Sequence, residues 1–131
     1  MSVGSWQPDA AGTAIDVDSL RRLAACAVHL DDPSLGLSAR EVADYAGLMR
    51  RDRDAWQVAE SLDDATLIAL IRFFTVAEQK LPNWEAGNQS PVIALAGVLR
   101  GRKAYPQELT GWIRSHSDNR FLPWGSLLDR L

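Results

Sequence analysis

Residues that carry chemistry are scarce in this chain of 131 residues. A single cysteine excludes an internal disulfide. One cysteine and two histidines give no metal-ligand spacing, so neither a zinc site nor another metal or cofactor site is expected. No glycine-rich phosphate loop follows a strand pattern, which argues against a nucleotide fold. No apolar run approaches the ~20 residues that a membrane span requires. No useful length alternates apolar with polar residues as a half-buried strand does. Ser115-His116-Ser117-Asp118 holds triad letters, but neighbours in sequence do not make triad geometry.

Charge of one sign is also lacking. The net charge is −3, which disfavours avid non-specific nucleic-acid binding. Residues 1–91 carry 8 Lys/Arg against 14 Asp/Glu, whereas residues 92–131 carry 6 against 3. Attraction between these two parts within one fold is the simplest reading. Nothing near the N-terminus reads as a secretory signal, so a soluble, cytoplasmic protein is the expectation. Hydrophobic content of 47% and charged content of 24% suit a globular chain.

What is present is helical periodicity. At roughly 100° per residue, Leu67, Leu70, Ile71, Phe74, Ala77 and Leu81 share one arc, which Phe73 and Val76 widen. A helix apolar over so wide an arc belongs at the centre of a fold. The fold class expected is all-α, a compact bundle or stacked helical hairpins. About five main helices would surround a central one over residues 64–80. Residues 1–16, with Trp6 their one bulky residue, read as a loose N-terminal arm, and residues 17–131 as a single helical domain.

Local signals place the other helices. The first starts near Asp18 or Ser19. Ser38-Ala39-Arg40-Glu41 is a capping box that opens the second. That helix either continues through Arg50-Arg51-Asp52-Arg53-Asp54 or breaks there, and this mixed-sign run reads as a solvated stretch. Asp63 or Asp64 caps the central helix, and Pro82 stops it. Ser90 and Pro91 supply the N-cap and first position of a fourth, and Pro106 opens a fifth.

Glu78 and His116 are the sharpest polar pair. Glu78 falls inside the apolar arc, where a carboxylate needs a partner or a proton. His116 shares a side of the fifth helix with Leu109, Trp112 and Ile113. In contact, the two would form an acid–base couple or a buried polar link between helices. Arg72, Arg114 and Arg120 compete for Glu78.

Two aromatic loops are candidate binding elements, carrying Trp84 in one and Asn119, Arg120 and Trp124 in the other. Trp84, Arg120 and Trp124, with Trp6, would anchor a protein partner if exposed, or close the core if buried. A homodimer would follow from exposed loops. The N-terminus of the fourth helix is a possible anion site. Arg100, Arg102, Lys103 and Arg114 mimic a helix-turn-helix, although a hairpin with a basic turn explains residues 100–114 as well. Cys26 reads as a packed, inert thiol. The functional expectation is therefore a protein-interaction module without catalytic activity. The alternatives are a small-molecule or anion binder, enzymatic or not, built on Glu78 and His116, and a weak nucleic-acid binder through residues 100–114.

Overall fold

The structure is a computed structural model, and it describes residues 15–119. Those residues form helices joined by turns, with no strand among them. The all-α expectation therefore holds. No helix among the described residues is long and apolar enough to cross a membrane.

Helix α1 spans Val17–Ala25 and runs on as a 3₁₀ turn, Cys26–His29. Its cap is Asp16, about half a turn before the expected start, because Asp16 is extended and its carboxylate accepts from the Ser19 N–H. Ile15 just before it is buried. Helix α2 spans Ala39–Tyr45 and keeps the anticipated capping box. A 3₁₀ segment follows over Ala46–Arg50. Arg51 is then extended, which frees Asp52 to cap a second 3₁₀ segment, Arg53–Ser61. The second helix therefore breaks inside the mixed-charge run.

Helix α3 spans Asp64–Lys80, with Asp63 as its cap and the Thr66 N–H donating to it at 2.9 Å. Leu67, Leu70, Ile71, Phe73, Phe74 and Ala77 are fully buried along it. Helix α4 spans Pro91–Gly101 behind the Ser90 cap. Helix α5 spans Leu109–His116. It starts three residues after Pro106, since residues 107–108 form a turn closed by the Leu109 N–H on the Pro106 carbonyl.

Helix α3 packs mainly on α4 and α1, and also meets α5, while α4 covers the 53–61 segment. Aromatic rings knit this centre together. Phe73 meets Phe74 edge to face at 5.3 Å and Trp84 at 5.9 Å, and Trp56 meets Phe74 at 5.7 Å. The Trp84 indole N–H donates to the Val42 carbonyl at 2.9 Å, fastening α2 to the core. The Trp56 indole N–H is buried without an acceptor among the described residues, a defect that costs about 1–3 kcal/mol.

Candidate functional site

Glu78 lies in the last turn of α3, where the helix dipole disfavours a carboxylate, and is 6% exposed. The Ser90 hydroxyl donates to one carboxylate oxygen. The Asn119 side-chain amide donates to the other at 3.1 Å and to the Gly87 carbonyl at 2.9 Å. Ser90 is itself held, because its hydroxyl oxygen accepts the Val92 N–H at 3.2 Å. Beyond α5, Ser117 accepts from the Asn119 N–H at 3.0 Å and from the Gln79 amide at 3.4 Å. The cluster therefore ties the end of α3 to the start of α4 and to the segment after α5.

Burial pushes the Glu78 carboxyl up to about 7, and the Ser90 and Asn119 donors pull it part of the way back. The carboxyl titrates near neutrality, as a general acid or base must. Its enclosure leaves little room for a substrate, and each oxygen already accepts a protein donor.

The expected contact with His116 is replaced by these donors. His116 is exposed and folds back on its own helix. Its ring stacks on Trp112 with centroids 4.1 Å apart, and Nδ1 lies 2.8 Å from the Trp112 carbonyl oxygen, which fits an N–H donating there. That intrahelical contact satisfies the imidazole without a carboxylate. Arg72, one competing partner, lies over the Trp112 ring at 5.7 Å. Arg120 and Trp124 lie outside the described residues, as does Trp6.

Trp84 is fully buried, so it closes the core and is not an exposed anchor. Its ring belongs to the aromatic cluster, and its one polar atom is satisfied by Val42. Among the described residues the two loops adjoin through Asn119 on Gly87, which makes a polar seam there. At the start of α4, the expected free N–H groups are used up. Pro91 has none, Val92 donates to the Ser90 hydroxyl and Ile93 to the Ser90 carbonyl. In the basic turn, Arg102 spans Asp64 and the Glu60 carbonyl, both at 2.8 Å, and Arg100 lies over the Tyr105 ring. Cys26 is buried, as expected of a packed thiol, and burial pushes its thiol up, which disfavours the thiolate.

One feature escaped the sequence reading. An apolar groove of about 480 Å³ runs between α2 and the end of α3. Ala39, Val42, Ala43 and Ala46 form one wall, with Leu81 and Pro82 opposite. The alanines at 39, 43 and 46 follow helical spacing and would have marked a small-residue face. A second hollow, of about 450 Å³, lies between Val28, Trp112 and His116. Val28 is 80% exposed, unusual for a large aliphatic residue. No family model, curated protein or solved structure matches this chain.

Proposed function

We propose that this chain is a non-catalytic protein-interaction module that seats an apolar helix of a partner protein in the groove along α2. The groove itself carries this reading. Helix α2 has no fully buried residue, so its inward face is only half used by the fold. Residues 39 to 46 span about 10 Å at the rise of an α-helix, roughly two turns of a partner. Alanine at three positions lets a second helix approach closely. The Trp84–Val42 hydrogen bond supports a firm floor, which lowers the ordering cost of binding. Ser34, Lys80 and Asn83 give the groove a polar rim.

The test is comparative. Ala43 is exposed, and Ala43→Arg suits a helix while filling the groove. Partners retained by the wild-type chain but lost by Ala43→Arg would be purified, and their helical segments titrated by calorimetry. Saturable binding to wild type, weakened at least about tenfold by Ala43→Arg, is expected, since a blocked groove loses its central contacts. Light scattering separates the other occupant, a second copy of the chain. A concentration-dependent dimer abolished by Ala43→Arg would assign the groove to self-association. Equal binding by both proteins would refute the reading.

A further inference from the structure

The run Arg50 to Asp54 is largely exposed, as expected, and the fold divides its charges among different tasks. Arg50 reaches to the Asn83 carbonyl at 3.1 Å and the Glu85 carbonyl at 3.4 Å. Asp52 turns back on its own segment and accepts the Ala55 N–H at 3.3 Å. Arg51 and Arg53 have no such partner among the described residues. Both guanidinium side chains line a pocket of about 310 Å³ beside the start of α4, together with Trp56, Asn88, Gln89 and Ser90. Asp52 lines it too, so the formal balance of the wall is positive.

Trp56 supplies the independent observation. It is 3% exposed, its ring is fixed against Phe74, and its indole N–H has no acceptor among the described residues. A buried donor left unpaired in a native fold calls for a missing acceptor. The same residue lines the pocket that holds the two unpaired arginines. The positive end of the α4 dipole adds to the field there, although its first N–H groups are already used. Among the described residues, the buried unsatisfied group at this pocket is a donor, and its two unpaired charged side chains are cations.

We propose that the pocket between residues 51–56 and the N-terminus of α4 binds a small oxyanion, a phosphate or a carboxylate, with Arg51 and Arg53 neutralising it and the Trp56 indole N–H donating to it. The volume suits a small ligand or the anionic head of a larger one. A neighbouring hollow of about 280 Å³ shares Arg53 and Trp56 and is lined as well by Asp54, Gln57, Glu60 and Gly97. Those two carboxylates repel a second phosphate, so the ligand is a compact anion and not a nucleic-acid strand. The site is distinct from the α2 groove and stands or falls without it.

The experiment is a titration of the ¹⁵N-labelled full chain with inorganic phosphate, with acetate and, as an ionic-strength control, with sodium chloride. The readout is the Trp56 indole resonance, identified by its loss in Trp56→Phe. Saturable movement with phosphate or acetate, absent with chloride, is expected. Arg51→Gln and Arg53→Gln should each weaken binding by about tenfold, the value of one charge-assisted hydrogen bond. Both are surface substitutions that leave the fold intact, which helical circular dichroism checks. Arg40→Gln, on α2 and outside the pocket, should bind as wild type. Saturation by phosphate alone, or by acetate alone, identifies which oxyanion the pocket takes. No saturable movement with either, or the same movement in Arg51→Gln and Arg53→Gln as in wild type, overturns the proposal.

Discussion

Glu41 and Glu78 carry the same side chain and opposite protonation preferences, and the surroundings of each are the reason. Glu41 stands in the first turn of α2, at the positive end of the dipole. Its oxygens accept the Ser38 N–H at 3.0 Å and two Arg22 guanidinium N–H groups at 3.1 Å, in an exposed setting. The Arg22 hydrogen bonds, then the Ser38 N–H, hold it down at about 2. Glu78 stands in the last turn of α3, buried, facing neutral donors, and is pushed up to about 7. The α3–α4 region is held by apolar burial and tolerates one polar seam. The region from Asp16 to Ser61 also buries apolar side chains, Leu20, Leu23, Met49 and Trp56 among them, and adds caps and reaching arginines: Asp16, the Ser38–Glu41 box, Asp52, Arg22 and Arg50. Both regions exclude water from one core, and the second also satisfies backbone groups near its surface.

The contrast breaks most visibly at Trp84. Trp84→Ala removes a fully buried ring from the aromatic cluster and orphans the Val42 carbonyl, so it should destabilise the fold by about 3–5 kcal/mol. A urea midpoint that moved by no more than a surface substitution would show that the ring is not core in solution. The next largest effect belongs to Glu78. Its folded pKa lies above the ordinary value of 4.5, so the folded state holds the proton more tightly. The stability this group contributes is complete below 4.5 and is lost as pH rises through about 7. The swing is on the order of 3 kcal/mol. Glu78→Gln keeps the shape and cannot titrate. The wild-type stability minus that of Glu78→Gln should therefore fall from pH 4.5 to about 7, and a flat difference would remove the buried-carboxylate account.

The same contrast decides what the sequence made legible. Helix α3 was readable to within a residue, because its Asp63 or Asp64 cap, the apolar arc and Pro82 act through local geometry and periodicity. The burial of Glu78 was readable from its place in that arc. Its partners were not, because Ser90 and Asn119 arrive from 12 and 41 residues away and only the packing of α4 and the post-α5 segment brings them in. His116 misled because an apolar face does not reveal depth: at the last turn of α5 the ring has a closer partner in Trp112. Trp84 stood open between anchor and core because a residue outside a helix can still be central to the core, which is where it lies. The mixed-charge run is largely exposed, as its sequence reads, but sequence does not separate the charges that cap and brace, Asp52 and Arg50, from those that face a pocket.

In the outer region the effects should be smaller and more local. Ser38→Ala deletes the hydroxyl that accepts the Glu41 N–H at 3.1 Å, and should cost about 1 kcal/mol, as loss of an N-cap usually does. Since α2 has no fully buried residue, the loss should concentrate in faster amide exchange along Ala39–Tyr45, with α3 protected as before. Uniform loss of protection over both helices would mean that α2 is no less integrated than the centre.

Glu41→Gln is the mildest and most discriminating change. Glutamine can still accept the Ser38 N–H, so the capping box survives, and only the charge facing Arg22 goes. Near neutrality the effect should be slight, because an exposed pair is screened by water and salt. In acid the two proteins should converge. The Glu41 pKa is lower in the folded state than its ordinary 4.5, so its contribution is present above 4.5 and is lost as pH falls toward about 2. The wild type should lose this increment over that window and Glu41→Gln should not, with the gap closing at high salt. That window ends where the Glu78 window begins, so one pH series on the two variants resolves both glutamates. Parallel curves down to about pH 2 would mean that Arg22 does not hold the carboxylate in solution. The outer region would then add only the Ser38 hydroxyl and backbone caps to its buried side chains, without the ion pair.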